Sequence, residues 1–158
     1  MEGLHIWTRA PRLEAWEQLI EQFTSPGEVV TIGIRPSRPE TGYGYIQRGS
    51  CLQQIDGESV HEGLRFVEKP DVEMARKYPR HGGYRWNSGM FVWRAATLLN
   101  CIKRYQPEVH AGLSEIADAW GTERQQEVLC MVYPTLERIS VDFAVMEPAS
   151  VDDRVNVA

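Results

Sequence analysis

Three short stretches of this chain hold residue types able to bind a polar, phosphorylated ligand. In Phe66-Val67-Glu68-Lys69-Pro70 a carboxylate and an ammonium are adjacent at the end of an apolar run. The carboxylate can accept from two neighbouring hydroxyls, and the ammonium can face a phosphate as a point charge. In Trp86-Asn87-Ser88-Gly89-Met90-Phe91, Asn87 offers two donors and an acceptor, Ser88 a hydroxyl, and Gly89 room for close approach. The third stretch, Arg35 to Ile46, carries Gly42 and Gly44 where the backbone can adopt positive φ or approach a ligand. Each stretch also has an ordinary reading: a glycine turn between strands, a solvated Glu-Lys pair, and a Trp86 that fills the core.

The elements that must hold these residues follow from the apolar pattern. Leu13, Trp16, Ile20 and Phe23 recur at helical spacing until Pro26-Gly27. Val29 to Ile34 is a nearly unbroken, β-branched run that suits a strand covered on both faces, as in a parallel sheet. Helix then buried strand is an α/β rhythm. Tyr45 to Cys51 and Leu64 to Glu68 read as strands, with Asp56-Gly57 as a hairpin turn. Glu68 and Lys69 then stand at the carboxyl end of a strand, where open α/β sheets bind their ligands. Asp71 caps a predicted helix from Val72 to Tyr78. Met90 to Trp93 is expected as a buried strand. Ala95, Leu98, Leu99, Ile102 and Tyr105 form a helical face, and Val109, Leu113, Ile116, Ala117 and Trp120 form another after Pro107. Further helices are expected over Glu123 to Met131 and around Phe143 to Met146, and a strand over Val155 to Val157.

Composition narrows the functional classes. With 158 residues, 42% hydrophobic and 25% charged, the chain has the makeup of one globular domain. A net charge of −5 disfavours general nucleic-acid binding, which needs a basic face. No apolar run approaches membrane-spanning length, and Met1 to His5 lacks the marks of a signal peptide, so no membrane partner and a cytoplasmic location are expected. Cys51, Cys101 and Cys130 are scattered, as are the four histidines; packed reduced thiols and no protein-only metal cage are the expectation.

In conjunction the three stretches are far more specific than apart. Arg35-Pro36-x-Arg38-Pro39-Glu40-Thr41-Gly42-Tyr43-Gly44-Tyr45-Ile46, Phe66 to Pro70, Trp86 to Phe91 and Ser140-Val141-Asp142-Phe143-Ala144-Val145-Met146-Glu147 occur in the order of mannose-1-phosphate guanylyltransferases, which the chain resembles from about Leu13 onward. The resemblance implies a partial three-layer α/β/α nucleotide-diphospho-sugar transferase fold, Rossmann-like. It implies joining of mannose 1-phosphate to GTP with release of pyrophosphate, aided by magnesium in the complete enzyme. Carried across, Gly42, Tyr43 and Gly44 contact the sugar, Glu68 its hydroxyls and Lys69 the phosphate, while Asn87, Ser88 and Gly89 close over the mannose. The role of Asp142 stays open, with helix capping as one reading.

The family's Gly-Gly-x-Gly-x-Arg triphosphate loop, its Pro-x-Asp-His metal segment and its Gly-Trp-x-Asp-Val-Gly segment do not occur in these 158 residues. Both ends read as cut. The expectation is a single segment, residues 1–158, of the catalytic domain without its nucleotide-binding half. Alone it is expected to have no catalytic residues, to hold no cofactor and to be inactive. Its expected partners are a weakly bound sugar 1-phosphate and either a second copy, paired through an open strand edge, or a complementing nucleotide-binding half. A non-enzymatic sugar-phosphate-binding or assembly module reusing the fold is the alternative. A different sugar 1-phosphate is a further one.

Overall fold

The computed structural model describes residues 4–7, 27–55 and 58–151, with residues 4–7 and 58 as backbone alone. The expected helix at Leu13 to Phe23, the Asp56-Gly57 turn and the strand at Val155 to Val157 lie outside them. Five strands are described: β1 (Leu4–Trp7), β2 (Val29–Ile34), β3 (Tyr45–Ile55), β4 (Glu58–Val67) and β5 (Tyr84–Trp93). Their order is β1-β2-β5-β3-β4, and β4 pairs back onto β1, so the ring closes. β1 thus pairs with both β2 and β4.

β2 is buried on both faces, as its apolar run requires, but only β1 runs parallel to it; β5 is antiparallel. Burial on both faces reads the same in sequence whichever way the neighbours run, so the parallel expectation is corrected to a mixed sheet. β3 and β4 form the antiparallel hairpin, Ile46 opposite Phe66.

Helices cover both faces of the sheet. The alternation of Tyr45 and Ile46, both fully buried, assigns each to its own side. Tyr45 and Trp86 pack on Tyr78 of helix α1 (Val72–His81). Asp71 caps α1 by accepting from the Met74 N–H at 2.8 Å, and Gly82 at φ 67° ends it. On the other side, Ile46, Phe66 and Val29 meet Cys101, Leu98 and Ile102 of α2 (Ala95–Tyr105) together with Ala144 to Met146. Val30, Ile32, Ile55 and Val60 form a separate apolar cluster with Val92.

Beyond α2, helices α3 (Pro107–Ala119) and α4 (Gln125–Val132) pack through Ile116, Ala119 and Val128. Several positions expected to pack prove exposed: Ala95 and Leu99 in α2, Ala117 and Trp120 at the end of α3, and Met90 in β5, whose Phe91 to Trp93 are only partly buried. Leu99 points outward because Cys101 takes the buried place in α2, and Trp120 follows the last turn of α3 and is 61% exposed. The cysteines are free, but only Cys101 is packed. Residues Asp142–Met146 form a π-helical turn, the Glu147 N–H bonding the Asp142 carbonyl, and Glu147–Ala149 continue it.

Candidate functional site

β5 is longer than its apolar run, and an irregularity within it builds the site. Thr31 lies opposite Phe91, whereas Gly33 lies opposite Asn87, so β5 has Ser88, Gly89 and Met90 where β2 has only Ile32. Such a bulge re-aims side chains. Gly89 sits at φ 75°, a left-handed conformation that favours glycine. The amides released from the ladder are satisfied locally: Gly89 N–H donates to Asn87 Oδ1 at 3.0 Å, and Met90 N–H to Ser88 Oγ at 3.2 Å. Asn87's acceptor is therefore committed inside the protein, not offered to a ligand.

Beside the bulge opens a cleft of about 470 Å³. Of the eight residues singled out in the sequence, seven line it: Gly42, Tyr43, Gly44, Glu68, Asn87, Ser88 and Gly89. Lys69 stands next to the cleft instead. Its backbone is left-handed at φ 43°, its Nζ lies 3.3 Å from Glu68 Oε1, and it approaches the Phe143 ring at 5.4 Å. Ile34, Trp86 and Asp142 complete the lining. Trp86 both fills the core under Tyr45 and walls the cleft, with Tyr43 edge-on at 5.3 Å and the Arg38 guanidinium 5.7 Å above its ring.

Glu68 is the most constrained group. Its side chain is only 8% exposed, and Oε2 is buried without a hydrogen-bond partner among the described residues. Burial raises its pKa above the ordinary carboxylate value; the Asp142 charge adds to this, Lys69 opposes it, and Glu147 contributes in the raising direction. A Cβ on Gly44 would collide with that Oε2 and press on Phe66 and Asn87, so the chain needs glycine there. The preceding loop is held by Glu40, whose carboxylate accepts from the Gly42 N–H at 3.1 Å, an interaction that lowers its pKa.

Asp142 does not cap its helix; Val141 occupies that position without a side-chain bond. Instead Asp142 Oδ1 accepts from Asn87 Nδ2 at 3.0 Å. Thr31, buried in β2, shares its hydroxyl between the Met90 carbonyl at 3.0 Å and Asn87 Oδ1 at 3.3 Å. Sequence reading gave neither contact, because Thr31 sits in an apolar run and Asp142 is 55 positions from its partner.

Among the described residues the cleft does not fit the magnesium implied by the resemblance. Glu68 Oε1 already faces an ammonium, Asp142 Oδ1 accepts a carboxamide proton, and no group of three suitable ligands occurs among the described residues.

The mixed α/β fold that carries this cleft is that of a nucleotidyltransferase domain. Residues 6–130 match the Nucleotidyl transferase family, and the chain belongs to that family. It is 36% identical over 146 residues to the mannose-1-phosphate guanylyltransferase of Klebsiella pneumoniae, covering 90% of this chain and 30% of that protein. The Escherichia coli K12 mannose-1-phosphate guanylyltransferase is 39% identical over 129 residues, or 79% of this chain and 26% of its own length. The solved mannose-1-phosphate geranyltransferase of Thermus thermophilus superposes with a TM-score of 0.64 at 34% identity, covering 90% of this chain and 39% of that one. The chain thus spans between about a quarter and two-fifths of these proteins. No helix among the described residues is long and apolar enough to cross a membrane.

Proposed function

We propose that this chain forms the mannose 1-phosphate side of a guanylyltransferase that makes GDP-mannose from GTP and mannose 1-phosphate. The reading rests above all on the cleft that gathers Gly42 to Gly44, Glu68 and Asn87 to Gly89 around one buried, unpartnered carboxylate oxygen. Its relatives' names give the chemistry of the ligand.

A sugar phosphate fits the donors available. Glu68 Oε2 accepts from a ring hydroxyl and thereby gains the partner it lacks among the described residues. Asn87 donates through the Nδ2 proton not used by Asp142. Trp86 and Tyr43 supply apolar surface for the C–H face of the sugar. Lys69 and Arg38 flank the cleft and answer the phosphate charge. The reaction itself needs a triphosphate held in line and its developing charge neutralised, chiefly by positioning and electrostatics. The 158 residues by themselves carry the acceptor side alone and do not turn over; a complementing nucleotide-binding half is the partner that completes the reaction.

Titration of the chain with mannose 1-phosphate, followed by amide chemical shifts, tests this. Shifts at Glu68, Lys69 and Asn87 with a Kd of about 1 mM are expected, since few contacts offset the cost of association. Glucose 1-phosphate and inorganic phosphate should bind more weakly, and Glu68→Ala should abolish the shifts while the fold persists. Absence of shifts near these residues at about 20 mM ligand, well above that expected Kd, refutes the reading.

A further inference from the structure

We propose that Asp142 is a positioning residue, which locks the Asn87 carboxamide in the one orientation that turns a hydrogen-bond donor into the cleft. Two contacts define that orientation, and a third, from a hydroxyl able to donate or accept, accompanies it. Asn87 Oδ1 accepts from the Gly89 N–H at 3.0 Å and from the Thr31 hydroxyl at 3.3 Å, while Nδ2 donates to Asp142 Oδ1 at 3.0 Å. Flipping the carboxamide would set Nδ2 against the Gly89 N–H and Oδ1 against a carboxylate oxygen, two repulsive pairs in place of two bonds. Asp142 penalises the flip strongly, because its charged carboxylate accepts and cannot donate. One Nδ2 proton then remains without a protein partner among the described residues, on a side chain that lines the cleft. Gly44, bare of a side chain, separates this donor from the Glu68 Oε2 acceptor, and both Glu68 Oε2 and Asn87 Cβ crowd the space its Cβ would take.

The arrangement couples the cleft to the π-helical turn. Asp142 opens that turn, whose Ala144, Val145 and Met146 are buried against Ile46 and Phe66. Asn87 is thereby fixed from two directions, by its own bulge and by an element 55 residues away. Without Asp142 the carboxamide keeps its bonds to Gly89 and Thr31 but loses one of the two penalties on turning over.

The proposal rests on the sugar-phosphate reading of the cleft only for its ligand readout; the side-chain readout is independent of it. In the full 158-residue chain, the Asn87 Nδ2 protons should give a well-dispersed, exchange-protected pair of ¹⁵N–¹H signals that Asp142→Ala collapses toward free-amide positions. Asp142→Asn, which retains an oxygen able to accept, should restore most of the dispersion. For mannose 1-phosphate, Asp142→Ala should weaken binding about ten-fold, Asp142→Asn less, and Asp142→Ala should add nothing in an Asn87→Ala background. Equal losses in both backgrounds would show that Asp142 acts by placing its helix, and would overturn the proposal. So would Asn87 side-chain signals in the unsubstituted chain already at free-amide positions, a readout needing no variant to fold. If the chain binds no mannose 1-phosphate but the Asn87 signals respond as stated, the ligand reading fails and the positioning role stands.

Discussion

Two cavities of similar size show how little volume alone says about function. The larger, about 580 Å³, lies between α3, α4 and the segment after it, lined by residues such as Glu108, Glu115, Met131 and Leu136. The strand-end cleft is smaller, yet two of its lining residues, Glu68 and Trp86, carry two of the four buried side-chain nitrogen or oxygen atoms that lack a partner among the described residues; the residues lining the helical cavity carry none. A buried polar atom left unpaired is costly, so a fold that keeps one beside an opening gains when a ligand supplies the partner. The helical cavity is a gap between packed helices, and its carboxylates, on Glu108, Glu115 and Glu137, belong to exposed residues that water already serves.

Substitutions can break or sharpen this contrast. The largest effect is expected at Gly44→Ala, where the added methyl meets Glu68, Phe66 and Asn87 together. Stability should fall by about 2 kcal/mol in thermal denaturation, and mannose 1-phosphate titration should show no binding. Next comes a matched pair. Gly89 and Gly121 both have left-handed backbones, φ 75° and 78°, and open space where a Cβ would stand. Gly89→Ala and Gly121→Ala should each cost about 1 kcal/mol of stability from backbone strain alone. Only Gly89→Ala should weaken ligand binding, by shifting the bulge that carries Asn87.

Glu68→Gln probes the buried charge. Because the folded pKa of Glu68 is raised, its contribution to stability is full below the ordinary carboxylate pKa and is lost as pH rises through the folded value. Glu68→Gln should therefore be more stable than the parent by about 1 kcal/mol near pH 8, with the difference vanishing toward pH 4. Asp142, Lys69 and Glu147 are the charged groups that set this balance. Denaturant melts of both proteins across that pH range measure it. The smallest effect belongs to the helical cavity. Gly112→Ala brings a methyl against Leu136 Cδ2, the movable end of a side chain, and presses on Val132 Cγ1, while it gains helix propensity, so stability should change by no more than about 1 kcal/mol and binding not at all.

Much of the cleft was legible in sequence because its parts are local. Glu68 and Lys69 end a strand, Gly42 and Gly44 punctuate a loop, and Asn87 to Gly89 are consecutive. The hydrogen-bond partners were not legible, because Thr31–Asn87 and Asn87–Asp142 join positions 56 and 55 residues apart that share no periodicity. The start of β5 was hidden for a related reason. Pairing of Tyr84 to Trp86 with β3, and of Trp86 and Asn87 with β2, keeps the chain extended before Gly89, and none of these partners is near in sequence. Asp71 as an N-cap was legible because a cap is a contact three residues long. Trp120 and Leu99 were misplaced because spacing ranks faces by apolarity, and cannot see that a helix has ended or that a cysteine fills the core better.

The wide turn at Asp142–Met146 also fixes how the chain must be counted. Asp142 holds Asn87, and Glu147, five residues later, accepts from the Glu68 backbone N–H at 3.4 Å. In a regular α-helix, positions five apart diverge by about 140° around the axis. The π-turn brings such positions back toward one side by accommodating an extra residue in the loop of backbone it closes. The number of residues between 142 and 147 is therefore fixed: a one-residue deletion would rephase every side chain downstream and part Asp142 from Glu147 while leaving the composition almost unchanged.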